Sequence, residues 1–403
     1  MITPRFLQIH SLHSYPAALI NRDDAGLAKR LPFGGATRTR ISSQCLKRHW
    51  RMAEDEWALR SIGVPMGKRS RLIVDRGIME PLVKAGIDKS LAEAIAEGFL
   101  KGLFQENPKR AKAKKDAQEG EDAAAFSAQT KQAVLFGQPE IDYLLSKARA
   151  IAAEVNSADE AAKACDAFFK DKDLRANIKA MKHHAGLESA LFGRMVTSDL
   201  IANTDAAVHV AHAFTVHAEE SESDYFTVVD DLRSRADGDD AGSAGIFDME
   251  LTSGLYYGYV VIDLPLLVSN LEGAPVDQWH EDGVDRDLAA RVAQHLIHLV
   301  ATVSPGAKLG STAPYDYASM LMIEAGGRQP RTLANAFRKP VEPHFSSAME
   351  ALGRHLRVLD ETYGQAEARR YLSLSDATLD GAERLPLDRL AQWAADVVRQ
   401  GKV

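Results

Sequence analysis

The first 51 residues hold nine Lys or Arg against two acids, a net +7 inside a chain whose formal net charge is −7. The remaining 352 residues are therefore net −14. Cations segregated in this way suit one task above others, the neutralisation of an anionic polymer at one site on an acidic body. They are densest in Arg38-Thr39-Arg40-Ile41-Ser42-Ser43-Gln44-Cys45-Leu46-Lys47-Arg48-His49-Trp50-Arg51. Ser42 or Ser43 is placed to cap a helix there. Leu46, Trp50, Ala53 and Trp57 then recur at i, i+4, i+7 and i+11, a stripe that would be buried. At about 100° per residue, Gln44, Lys47, Arg48 and Arg51 share the opposite, outward arc. Upstream, Phe33-Gly34-Gly35 lacks Cβ at two positions, so a polymer backbone can come close and meet main-chain amides beside Arg38 and Arg40. The plain alternative is a solvated basic helix face. Binding is favoured because the Gly pair, the Arg pair and the helix lie within 18 residues.

Other chemistry is sparse. Adjacent carboxylates at Asp23-Asp24, beside a bound phosphodiester, could hold a divalent metal and run hydrolysis; a turn-forming pair is the simpler reading. P-loop, dinucleotide-binding, zincin and serine-hydrolase motifs are absent, so no cofactor is expected. His183-His184 has no acidic or thiol partner nearby and reads as surface. Cys45 and Cys165 are far apart and belong to no Cys-x-x-Cys pair, which points to two free thiols.

The elements that position these residues read as follows. The length fits two or three domains, or one domain with large insertions, and 45% hydrophobic residues suffice for a substantial core. No run of about 18 apolar residues and no signal-peptide core is present, which predicts a cytoplasmic protein without a membrane partner. Residues 6 to 13 alternate apolar and polar and read as a first strand, ended by Pro16 and Asn21-Arg22-Asp23-Asp24. Residues 74 to 104 and 140 to 190 are Ala-rich and helical, a large insertion. Between them, Lys109, Arg110, Lys112, Lys114 and Lys115 form a basic block, either a solvated loop or a second nucleic-acid contact. Strands return near 208 to 216. Residues 219 to 250, with eleven acids against Arg233 and Arg235, read as a projecting hairpin. A strand over 255 to 262, a helix over 285 to 303 and a strand over 319 to 323 follow. The order strand, helix, strand, strand, helix, strand fits a ferredoxin-like α/β sheet.

Taken together, these residues resemble the CasC family, the backbone subunit of the type I-E CRISPR complex Cascade. The resemblance rests on Leu19-Ile20-Asn21-Arg22-Asp23-Asp24, Phe33-Gly34-Gly35, Arg40-Ile41-Ser42-Ser43-Gln44 and Leu46-Lys47-Arg48. Further on it rests on Gly193-Arg194-Met195, Ala211-His212-Ala213, Asp224-Tyr225-Phe226-Thr227-Val228-Val229-Asp230-Asp231-Leu232, Ser253-Gly254, Pro305-Gly306-Ala307-Lys308, Asn335-Ala336-Phe337 and Ser373-Leu374-Ser375-Asp376.

It implies an α+β hand. The palm, a modified RNA-recognition-motif sheet, takes 1–60, 193–218 and 251–403; helical fingers take 61–192 and a β-hairpin thumb takes 219–250. It also implies a non-catalytic scaffold that polymerises head to tail with copies of itself on CRISPR guide RNA, beside other Cascade subunits, and presents the guide to target DNA. Carried over by position, Arg22, Lys29, Arg38, Arg40, Ser42, Gln44, Lys47, Arg48 and Arg51 form the guide-binding palm surface. Met195, Tyr225 and Phe226 wedge against bases where the guide kinks. Residues 104 to 140 depart from the family as an expansion of the fingers, and the basic block there would attract DNA without reading its sequence. Two rivals stand beside this reading: a metal-dependent guide-directed ribonuclease like type III backbone subunits, and an acidic protein-interaction module.

Overall fold

The alternating N-terminal run becomes a central strand. The computed structural model describes residues 3–106, 109–110, 126–172, 186–195, 203–228, 245–306 and 309–403, and the chain divides into two units. One comprises Met1–Ser61, Val208–Pro265 and Val276–Val403, the other Ile62–Ala207 and Leu266–Pro275. Residues 193–207 thus fall in the second unit, whereas the sequence boundaries grouped 193–218 with the palm.

In the first unit, ten strands form one sheet: β1 Phe6–Ala18, β2 Arg30–Phe33, β3 Ala36–Ile41, β4 Val208–Val210, β5 Ala213–Thr215, β6 Glu220–Val228, β7 Gly245–Asp263, β8 Met320–Gly326, β9 Ala368–Ser373 and β10 Ala382–Arg384. Their order is β10-β9-β8-β1-β7-β5-β3-β2, with β4 and β6 also paired to β7. Its helices are α1 Ser43–Met52, α2 Asp287–Thr302, α3 Phe345–Tyr363 and α4 Leu387–Gln400. The fold is mixed α/β. Read along the chain, β1, α1, β5, β7, α2 and β8 give the expected strand-helix-strand-strand-helix-strand order, laid out as the antiparallel row β8-β1-β7-β5.

Both faces of this row are covered. Tyr15, Ile41, Ala213 and Tyr256 pack with Leu46 of α1 on one side. Leu12, Tyr257, Met320 and Tyr371 pack with Leu352 and Leu356 of α3 on the other. The polar positions of β1 are consequently buried as well, where an alternating pattern alone suggests a solvent face. Gln8 accepts hydrogen bonds from the Tyr259 hydroxyl and the Arg331 amide, each at 2.8 Å. His10 bridges Tyr257 at 2.8 Å and Glu324 at 3.1 Å. Glu324 also receives Arg331 at 2.6 Å and Arg369 at 2.6 Å. With its sheet faces closed, the unit presents its strand edges, the outer side of α1 and the β6–β7 hairpin.

In the second unit, helices Lys89–Phe104, Gln138–Glu154 and Ala158–Lys170 enclose a core around Ile95, Phe99, Leu100, Phe136 and Leu144. A Cβ at Gly98 would lie 2.5 Å from the Cys165 Cβ, and one at Gly102 would lie 2.2 Å from the Phe169 ring, so this pair of glycines permits the close approach of two helices. Burial there pushes the Cys165 thiol up to about 12, which keeps it protonated and inert.

Candidate nucleic-acid interface

The basic segment begins with a strand that hands over to a capped helix. Ser42 has an extended backbone and its hydroxyl accepts from the Cys45 amide, while its own amide donates to Asn21 Oδ1 at 2.9 Å. Ser42 is thus the N-cap, and its buried hydroxyl serves the helix. Trp50 is buried and Leu46 packs on the sheet, which turns Gln44 and Arg48 outward and leaves Lys47 and Arg51 half-buried. The helix stops at Met52, short of the stripe the spacing predicts. Ala53 is extended and Asp55 accepts the Trp57 amide in a turn. Trp57 is nevertheless sheltered, stacked on His298 of α2 with ring centroids 3.5 Å apart.

Lys29 and Arg40 join this surface through main-chain pairing, since the Arg40 amide donates to the Lys29 carbonyl at 2.7 Å. Arg40 also donates to His212 Nδ1 at 3.2 Å, and the Ser43 amide approaches the same nitrogen at 3.3 Å. That nitrogen therefore carries no proton. Burial lowers the His212 pKa, and the charges of Arg40 and Lys29 lower it further. Burial likewise pushes the Cys45 thiol up against the opposing charges of Arg48 and Lys29. Lys29, Arg40 and Arg48 thus converge around His212 and Cys45. Arg22 stands exposed at the start of the adjoining loop, bridged by its backbone to Ala28. Among the described residues, Arg22, Lys29, Arg40 and Arg48 form no ion pair, so this field is uncompensated.

Arg38 departs from the expected row. Its side chain is fully buried, donating to the carbonyls of Thr215 at 2.8 Å, His217 at 3.2 Å and Phe337 at 2.9 Å. It ties three chain segments together and offers nothing to solvent. Gly34 departs as well. A Cβ there would sit 1.5 Å from the Arg338 carbonyl, so the backbone that approaches Gly34 is the chain's own. Asp23 follows the simpler reading, with Oδ1 accepting the Ala25 and Leu27 amides at 2.9 Å each.

The β6–β7 hairpin carries Tyr225, 65% exposed, and Phe226, which stacks across the strands on Phe247 at 5.7 Å. Arg30 pairs with Glu219 and Glu250 at the hairpin base. In the second unit Met195 is 91% exposed. Its neighbour Arg194 is buried, exchanges backbone hydrogen bonds with Thr204 and pairs with Glu140 at 2.7 Å. Met195 is therefore a large apolar side chain held out by a fixed backbone, beside a groove of about 580 Å³ that Arg69 and Asn203 also line. Lys109 and Arg110 pair with Phe126–Ser127 in a short ladder. Lys112, Lys114, Lys115 and His183-His184 lie outside the described residues, as do Ala307-Lys308 and the segment from Val229 to Ala244.

Comparison with known proteins decides the family. The profile of a family described as CT1975-like protein matches residues 7–395. The chain belongs to the CT1975-like family. A chain in a solved structure described as "CRISPR RNA-guided surveillance complex, pre-nicking" is similar to it at 26% identity and a TM-score of 0.73, covering 96% of this chain and 100% of that one. A chain in a second structure, described as "CRISPR RNA-guided surveillance complex", shares the fold at 23% identity and a TM-score of 0.63, covering 96% and 99%. No curated protein matches.

Two residues of the CT1975-like chain's candidate surface were missed in its sequence. His212 lies in the Ala211-His212-Ala213 stretch, which drew notice only as resemblance. Phe247 becomes visible as the partner of Phe226 only once strand register is known. Among the described residues no group of His, Cys, Asp and Glu could hold a metal ion, and no helix is long and apolar enough to cross a membrane.

Proposed function

We propose that the chain is a non-catalytic, RNA-binding scaffold that assembles head to tail along CRISPR guide RNA in a Cascade-type surveillance complex of type I-E. In this role it presents the guide for pairing with target DNA, so sequence is read by the guide and not by the protein. The observation that carries the reading is the end-to-end similarity, at 26% identity, to a chain of a CRISPR RNA-guided surveillance complex. The geometry adds Arg22, Lys29, Arg40 and Arg48, which form no ion pair among the described residues and are suited to phosphates of any sequence. Exposed Met195, Tyr225, Phe226 and Phe247 are suited to displaced bases of any identity. Asp23 holds its own turn, which favours a scaffold over metal-dependent cleavage.

The test is to co-express the chain with its neighbouring subunits and a CRISPR array, and to map the nucleic acid that purifies with it. Protected RNA of one defined length with regularly spaced accessible positions is the expected result. A chain that purifies without RNA refutes the reading, and cleavage of complementary RNA at regular intervals replaces it with the ribonuclease.

A further inference from the structure

A second cationic surface lies at the opposite end of the basic strand from α1. The β2–β3 turn and the turn at Ala334–Phe337 enclose a groove of about 830 Å³ lined by Phe33, Gly35, Asn335, Arg338 and Lys339, together with Pro32 and Gly34. No acidic residue lines it. Arg338 and Lys339 are exposed and, among the described residues, form no ion pair.

The walls are fixed. Buried Arg38 donates from β3 to the Phe337 carbonyl at 2.9 Å, and Gly34 rests on the Arg338 carbonyl. Phe33 is braced edge-on by Phe214 at 5.1 Å. At Gly35, by contrast, a Cβ would meet nothing within 4 Å, so the rim is open to a second backbone. Walls held in place before binding cost less ordering when a ligand arrives.

Two kinds of polymer suit such a groove, an acidic peptide or a nucleic-acid strand. A peptide gains most of its affinity by adding a strand to a sheet edge. Here β2 is the edge strand, and Pro32 at its centre cannot donate a ladder hydrogen bond. An aromatic and a proline beside two cations instead match the stacking surface and electrostatic channel of single-strand binding.

We infer that this groove binds the phosphodiester backbone of a single nucleic-acid strand, with Arg338 and Lys339 neutralising phosphates and Asn335 donating to one of them. The site is separate from the α1 surface and does not depend on it.

The experiment measures binding of labelled oligouridylate and oligothymidylate to the full chain across a salt titration, for the wild type, R338Q/K339Q, R338K/K339R and the α1-face variant K47Q/R48Q. Both substituted groove positions are exposed, so the fold is retained. R338Q/K339Q should lower the log–log salt slope by about 1.4, at about 0.7 per lost phosphate contact, and weaken binding about 20-fold at 0.1 M salt. R338K/K339R should bind as wild type. Loss confined to the RNA probe assigns the groove to an RNA strand, loss confined to the DNA probe to a DNA strand, and loss on both to either backbone.

Unchanged slopes in R338Q/K339Q overturn the inference, as does a wild-type chain with no affinity for either probe at low salt. Altered self-association by sedimentation with unchanged slopes also overturns it, assigning the groove to an acidic protein segment. If K47Q/R48Q alone loses binding, the groove fails and the proposed guide surface stands; if R338Q/K339Q alone does, the groove stands and the α1 surface fails.

Discussion

Around Glu324, at the centre of the sheet, each charge meets a countercharge, whereas Arg22, Lys29, Arg40 and Arg48, on and beside α1, form no ion pair among the described residues. Glu324 is fully buried and receives His10, Arg331 and Arg369, while Arg369 also reaches Asp360 at 2.7 Å. Burial alone would raise the Glu324 carboxyl; the hydrogen bonds from His10 and Arg331 outweigh it and hold the group well below the usual carboxylate range. His10 stays neutral because burial outweighs the pull of Glu324. Among the described residues no carboxylate plays the part of Glu324 for Arg22, Lys29, Arg40 or Arg48. The same residue types thus make a closed cluster in one place and an open field in the other. Charge count alone cannot separate the two; pairing and burial can.

The comparison breaks most visibly if its closed side is opened. Glu324→Gln should leave buried Arg369 and half-buried Arg331 without the carboxylate that bridges them most closely and destabilise the fold by about 3–5 kcal/mol, read from urea unfolding, while the folded fraction binds the RNA probe as the wild type does. A loss below 1 kcal/mol would mean the cluster is not the closed device described here.

His13 sharpens the same side through pH. Its Nδ1 is buried without a partner, and burial lowers its pKa to about 4. The folded value lies below the unfolded one, so the unfolded chain takes the proton first. Stability is complete above about pH 6.5 and falls as pH drops from there to about 4, by about 3 kcal/mol. Glu324 adds a loss of its own below about pH 4.5. Chemical denaturation at stepped pH should show the slope, and His13→Asn should flatten its upper part.

Arg38→Gln tests an arginine two positions from Arg40 that belongs to the closed class. It should cost about 1–3 kcal/mol by leaving buried carbonyls unpaired, where Arg40→Gln leaves thermal stability nearly unchanged. Smallest is Arg48→Gln on the open side, with stability within about 0.5 kcal/mol of wild type and a salt slope lower by about 0.7. A stability loss there as large as that of Arg38→Gln would erase the distinction.

The fold was legible where periodicity is local. The order of strands and helices, a serine cap at 42 or 43 and the outward placement of Gln44 and Arg48 follow from neighbours within about two turns, whereas Lys47 and Arg51 of the expected arc are half-buried. Arg38 was not, because the carbonyls that receive it arrive from Thr215 and Phe337, about 180 and 300 positions away in the chain. The extended stripe failed because Ala53 and Trp57 keep helical spacing although the chain turns at Asp55. Met195 shows the opposite case: composition favours the core for a methionine, and only the resemblance raised the outward placement that the structure displays.

The hairpin and the central strand are one object. Strand β7 runs 19 residues from Gly245 to Asp263 without a break, paired with β6 near one end and with β1 along the other. At about 3.3 Å per residue it reaches roughly 60 Å if fully extended. In mechanical terms it is a cantilever clamped in the middle of the sheet: a load applied at Phe226 or Phe247 bends a beam, because no loop intervenes to act as a hinge, and the torque is delivered to the ladder between β7 and β1.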